Sequence, residues 1–209
     1  MMDEQNPDTE QRILDAAHAV FLRRGTSGAR MQEIADEAGV NKALLHYYFR
    51  SKDRLAEAVF ERAFRELLPA VLGTLGSELS VEEKVERVIA IELETLRRAP
   101  FLPGYVISEL HQHPDRITQM LHAENGPAAR FPGVMRTLGQ QLDERAAAGT
   151  LRPIDPATFT INLLSLCVFP FVARPLLGAV FGWDAEQFEG VIDERAASLA
   201  GFFLNALRP

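Results

Sequence analysis

Between Lys42 and Arg54 the chain sets four basic residues, Lys42, Arg50, Lys52 and Arg54, against one acidic residue, Asp53, and places His46, Tyr47 and Tyr48 among them. This segment carries a local +3 within a chain of −7, so the remainder stands at −10. Cations at this density meet phosphate oxygens, while hydroxyl and imidazole groups between them bond phosphate or base edges. An acidic body with one basic edge draws a polyanion to a single surface and keeps the rest of the molecule off it.

Such side chains act only if something holds them outward. Hydrophobic periodicity is near 3.6 throughout and no convincing strand is seen, so an all-α fold is expected. Ile13, Ala16, Ala17, Val20 and Phe21 form the stripe of a first helix, capped at Asp8 or Thr9 and stopped by Gly25 after Arg23 and Arg24. A second helix fits Met31 to Ala38, Gly39 breaks it, and Asn41 caps a third from Lys42 to Phe49. In that third helix Leu45 and Phe49 lie one turn apart and point inward, leaving Lys42, Ala43, Leu44, His46 and Tyr47 on other faces. Ser51 caps a fourth helix through Leu55, Val59 and Ala63, ending near Gly73. Two short helices joined at Gly39-Val40-Asn41 behind a supporting helix have the form of a helix-turn-helix, whose second helix enters the major groove. Periodicity alone is equally compatible with a surface helix of an ordinary bundle.

From Thr9 to about Phe60 the order "RILDAAHAVFLRRG" and "MQEIADEAGVNKALLHYYFRSKDRL" closely resembles the DNA-binding domain of the tetracycline-repressor (TetR) family. Ala16, Ala17 and Phe21, Ile34-Ala35, Ala38-Gly39-Val40, Tyr48-Phe49 and Ser51-Lys52 all stand in register with it. The resemblance covers roughly the first quarter of the chain. It implies an N-terminal three-helix helix-turn-helix domain over residues 1–55 and a larger ligand-binding and dimerisation domain over 56–209. It further implies a homodimer that offers one reading head to each half of a near-palindromic operator. Positions matching the family's base-facing sites are Lys42, Ala43, Leu44, His46 and Tyr47, and Tyr48 and Lys52 match its phosphate contacts. Arg30 departs from the Thr or Ser that commonly caps the second helix; a guanidinium cannot cap in that way but reaches phosphate directly. Gln32 beside it is a weaker contact candidate. Leu44 stands where a small polar residue is common and His46 where Tyr is frequent, so the base sequence read does not transfer from a relative.

Beyond Ala63 the resemblance is weaker. Helices are expected at Val81 to Arg98, Leu102 to His113, Asp115 to Glu124 and Pro132 to Ala148. Two more are expected, Pro156 to about Ala179, bent at Pro170, and Asp184 to Leu207. The last carries Phe188, Val191, Ile192, Leu199, Phe202 and Phe203 on a stripe that wants a partner, so dimerisation through the last two helices is expected. Glu92 and Glu109 lie on otherwise apolar faces and, if turned inward, would favour a cationic or donor-rich small-molecule effector. Pairing with Arg97 or Arg98, or solvent, is the plainer role for these glutamates. Phe101, Leu102, Tyr105, Met120, Met135 and Phe169 are candidate walls of such a pocket, although side chains of this kind at helical spacing are more often plain core.

Other chemistry finds little support. No glycine-rich phosphate loop, metal-ligand cluster or nucleophile elbow is present, so neither an enzyme nor a cofactor is expected. His111 and His113 point to nearly opposite sides of a helix and His122 has no fixed relation to them, so all three are expected in solvent. With 47% hydrophobic and 24% charged residues the chain reads as a packed soluble protein. The lone Cys167 and the acidic, polar start point to a reducing, cytoplasmic setting. The apolar run from Ala157 to Ala173 reads as a buried or subunit-facing helix rather than a membrane span. The expected function is a ligand-responsive transcriptional regulator, of the repressor kind. Its rival is a protein of the same fold that acts through a protein partner without binding an operator.

Overall fold

The computed structural model describes residues 7–112, 114–122 and 126–209, apart from the side chains at 7, 66, 109, 110, 112, 114, 116, 117 and 120. Among the described residues the regular structure is all α, with no strand. The chain runs through α1 (Pro7–Gly28), α2 (Met31–Glu37), α3 (Lys42–Phe49) and the long α4 (Lys52–Leu75). It continues through α5 (Val81–Arg98), α6 (Leu102–Gln112), α7 (Pro114–His122), a 3₁₀ turn (Pro127–Arg130) and α8 (Phe131–Ala147). It closes with α9 (Pro156–Val172), α10 (Arg174–Phe181) and α11 (Ala185–Ala206). The expected ends at His113 and Glu124 fall outside the described residues.

Local chemistry sets these boundaries. Gly25 has φ 67°, so regular α1 stops there and one further turn runs on to Gly28. Ser80 and Glu83 form a capping box before α5, as Asp184 and Gln187 do before α11, each pair satisfying two N–H groups that the helix leaves orphaned. Asp155 Oδ1 accepts from the N–H groups of Ala157 and Thr158, both at 3.0 Å, at the head of α9.

Helix α4 ends at Leu75, two residues past Gly73, carrying Pro69 and Gly73 inside it before Gly76 caps it. Two expectations are corrected. The expected helix from Pro156 to Ala179 is two helices, α9 and α10, meeting at 65°, and the break lies at Ala173 rather than Pro170. Pro170 sits buried within α9, whereas Pro175 has no N–H to give the Phe171 carbonyl and interrupts the ladder at the junction. The α11 stripe does not wait as a unit for a second subunit. Phe188, Ile192, Leu199 and Phe203 are buried within their own chain, Val191 is half-buried, and of the six only Phe202 is exposed.

Two hydrophobic clusters organise the chain, and α4 belongs to both. Its first half contributes Leu55, Ala56, Val59 and Phe60 to a cluster with Ile13, Val20, Phe21, Ile34, Leu45 and Phe49. Its last turns contribute Val71, Leu72 and Leu75 to a cluster with residues of α5, α8, α9 and α11. Ala99, Leu102 and Tyr105, at the α5–α6 junction, pack into the first cluster and so bind the N-terminal head to the body. His18 Nε2 donates to the Arg98 carbonyl at 3.1 Å across the same seam, and Arg62 of α4 pairs with Asp15 of α1 at 2.7 Å within the head. No single helix among the described residues is long and apolar enough to cross a membrane.

Candidate nucleic-acid interface

The turn between α2 and α3 follows from its residues. Gly39 adopts φ 64°, a left-handed conformation that costs a side chain but not glycine, and Val40 N–H donates to the Ala35 carbonyl at 3.0 Å to close the end of α2. Asn41 Oδ1 then accepts from Leu44 N–H at 2.7 Å and starts α3. Leu45 and Phe49 are buried in the head cluster and fix the rotation of α3 about its axis. The remaining positions therefore face out: Lys42, Ala43, His46 and Tyr47 are exposed, the last by 59%, while Leu44 and Tyr48 are half-buried. Tyr47 and Tyr48 meet edge to face with centroids 5.6 Å apart.

The flanks of this surface are more constrained. Arg30 is exposed at the N-cap of α2 and makes no side-chain cap bond. Gln32 is exposed and donates to Asp36 Oδ1 at 2.8 Å. Lys52 is half-buried, its ammonium donating to the backbone carbonyls of Ser27 and Ala29. Arg54 pairs with Glu57 at 2.9 Å, and Arg23 with Glu37 at 2.6 Å, so part of the local positive charge is already countered. Arg50 leaves α3 with φ 44° and ψ −42°, the one non-glycine residue at positive φ among the described residues.

The candidate effector residues lie in different places. Glu92 is 5% exposed on α5 and has no hydrogen-bond or ion-pair partner among the described residues; burial pushes its carboxyl up to about 7. Phe101 sits edge-on to His18 and Phe21, and Tyr105 packs on Phe60 with centroids 5.0 Å apart, so both belong to the seam between head and body. Met135 packs against the body core, and Leu102 is buried in the head cluster. Phe169 is exposed at the mouth of an apolar cleft of about 490 Å³ between α9, α10 and α11. The side chains of Glu109 and Met120 lie outside the described residues. His111 and His122 are exposed, each donating from Nδ1 to a carbonyl one turn back, and His113 is outside the described set.

Some side chains with structural consequence went unread in the sequence. Lys84 is wholly buried, its ammonium giving a hydrogen bond to Gln141 Oε1 at 2.5 Å while Gln141 donates to the Leu79 carbonyl. Burial holds its pKa below the usual lysine range. The signal was available in part, since Lys84 shares a helix face with Val81 and Val88. Arg195 donates to the Leu166 carbonyl at 2.6 Å, and Cys167, buried near Glu92 and Arg195, is pushed up to about 12 chiefly by burial. Among the described residues no cluster of three or more His, Cys, Asp or Glu is arranged to hold a metal ion.

Comparison with known proteins gives this geometry a family. A family model described as bacterial regulatory proteins, tetR family, matches residues 13–59, which hold α2, α3 and most of the head cluster. The HTH-type transcriptional repressor NicS of Pseudomonas putida is 30% identical over 194 residues, 91% of this chain and 88% of that one. The HTH-type transcriptional regulator BetI of Brucella canis is 30% identical over 150 residues, 71% of this chain and 74% of that one. Among solved structures, a TetR/AcrR-family transcriptional regulator from Thermobifida fusca superposes with a TM-score of 0.61 at 20% identity, covering 97% of this chain and all of that one. HlyIIR, a hemolysin II transcriptional regulator, does so with a TM-score of 0.56 at 23% identity, covering 97% and 98%. These relatives are transcriptional regulators and not enzymes. With its helix-turn-helix head, its all-helical body and relatives that span most of its length, the chain belongs to the TetR family of DNA-binding transcriptional regulators.

Proposed function

We propose that the chain is a one-component repressor that binds a near-palindromic operator as a homodimer and is released by a small molecule. The observation that carries this reading is the outward display of Lys42, Ala43, His46 and Tyr47 from a helix anchored by Leu45 and Phe49. Base edges would be met by these side chains and by Leu44, and phosphates by Tyr48, Lys52, Arg30 and Gln32. The reading domain is residues 1–55, with the first turns of α4 completing its core, and residues 56–209 serve dimerisation and effector binding.

Support for the dimer comes from the last three helices. Ile161, Phe169, Leu176, Val180, Phe181 and Phe202 are all exposed on α9, α10 and α11, large apolar side chains that a partner surface would take out of water. A second copy related by a two-fold axis covers this face with the same face, and brings two heads to one side. For the effector, the buried carboxyl of Glu92, without a partner among the described residues, favours a ligand that presents a cation or a hydrogen-bond donor. Such a ligand releases DNA only through its preference for the state in which the heads are mis-spaced.

Fluorescence anisotropy of the full chain with labelled fragments of its own upstream region, at two salt concentrations, tests this. Tight binding to one fragment with a steep salt dependence is expected. Absence of salt-dependent binding to any fragment would favour action through a protein partner instead.

A further inference from the structure

We infer that His46 reads the operator as a hydrogen-bond acceptor, taking the hydrogen of an exocyclic amino group, adenine N6 or cytosine N4, on its Nε2 atom. This rests on the proposed reading that α3 enters the major groove, and it specifies what one of its side chains does there.

The geometry begins one turn away. His46 Nδ1 lies 3.0 Å from the carbonyl oxygen of Arg50. A carbonyl only accepts, so the hydrogen in this bond belongs to Nδ1. Arg50 makes the arrangement possible by its own backbone. Its N–H donates to the His46 carbonyl at 2.9 Å, ending the helix, and its φ of 44° and ψ of −42° then leave its carbonyl within reach of the ring. Two hydrogen bonds of opposite sense thus close between the same two residues and hold the imidazole in one orientation.

In the neutral imidazole, with Nδ1 committed, the chemistry of the other nitrogen follows, whereas an imidazolium would donate from both. The neutral ring carries its single hydrogen on Nδ1, so Nε2 presents a lone pair and nothing else. His46 is exposed, and Nε2 has no partner among the described residues. In the major groove the hydrogen-bond donors are adenine N6 and cytosine N4, whereas guanine O6 and N7, adenine N7 and thymine O4 are acceptors. A lone pair on Nε2 is matched by the first pair and repelled by the rest. Lys42, one turn earlier and also exposed, carries only donors and complements the acceptors instead. The two side chains therefore ask for different groups along one groove.

Every base pair offers one amino group to the major groove, so a sequence motif alone does not test this; atom deletion does. Operator half-sites are first selected from a random library with the full chain, and the position whose preference His46→Ala abolishes is located. At that position the adenine is replaced by purine, or the cytosine by 2-pyrimidinone, which deletes the amino group, and in separate duplexes the purine is replaced by its 7-deaza analogue, which deletes the N7 acceptor. Loss of the amino group is expected to weaken wild-type binding about tenfold per half-site. The same duplex should cost His46→Ala little beyond its own loss, and the 7-deaza duplex should cost the wild type little. Loss on 7-deaza substitution without loss on amino deletion means that Nε2 donates, and overturns the inference while leaving operator binding intact. A motif that His46→Ala does not change at any position overturns it as well, provided that the variant melts at the wild-type temperature. Failure to select any motif overturns the operator reading itself.

Discussion

The ammonium of Lys52 lies 2.9 Å from the backbone carbonyl of Ser27 and 3.3 Å from that of Ala29, tying the first residue of α4 to the segment that leads into α2. A cation that the sequence offers to phosphate is also a strut inside the head. Lys52→Met keeps the aliphatic stem and removes the charge. It is expected to lower stability by about 1 kcal/mol, the range for charged hydrogen bonds reduced by partial exposure. It should also weaken all DNA sequences alike, with a salt slope smaller by about one unit per protomer. Thermal melting and anisotropy over a salt series measure the two effects separately.

Tyr47 presents the opposite case. At 59% exposure it supports little of the head, so Tyr47→Ala should leave stability within about 0.5 kcal/mol. Discrimination between operator variants should change by about tenfold at the position it meets. Competition binding against single-base variants checks this, and a uniform loss across variants would argue for a phosphate contact.

Glu92 predicts a pH dependence whose sign is fixed by burial. Its folded carboxyl titrates at about 7 against 4.5 when unfolded, so between those values the folded state holds the extra proton. Its contribution is therefore most favourable at low pH, declines as pH rises from 4.5, and has reached its full unfavourable value above 7. Glu92→Gln removes the charged form and should stabilise the chain above pH 7 by roughly 3 kcal/mol, while changing little at pH 4.5. Urea denaturation of both proteins at pH 5 and pH 8 reads the difference, and a variant less stable than wild type at pH 8 would count against a solvent-poor carboxyl.

Phe202 stands 63% exposed while Phe203 beside it is buried in its own chain. If a second copy covers this face, Phe202→Asp should turn a dimer into a monomer in sedimentation and reduce affinity for a two-half-site operator by at least about tenfold. Its effect on the melting temperature of the isolated protomer should be small, because the side chain packs on little within it. A dimer unaffected by this change would move the interface elsewhere.

How far the sequence reached depends on the range of the interactions involved. Helix α3 was legible to the residue because Gly39, Asn41, Leu45 and Phe49 specify it within eleven positions. The side chains it displays followed from the same period. Phe101 and Tyr105 were not legible as seam residues, since nothing local says that the α5–α6 junction folds back on Phe21 and Phe60. Periodicity likewise marked Phe188, Ile192, Leu199 and Phe203 as one apolar stripe, but it carries no information on whether the same chain or a second one covers it.

What the sequence by itself determined is the helix-turn-helix head: its supporting helix, its two short helices, its turn and the outward side chains of α3, because caps and i, i+4 spacing act within a few residues of one another. Tertiary structure alone decided the partners of those groups. It gave Lys52 the carbonyls of Ser27 and Ala29, left Glu92 without a partner among the described residues, and buried Lys84 on Gln141, 57 positions along the chain. Desolvation and long-range contact exist only once distant segments pack, and no local pattern encodes which segments those are.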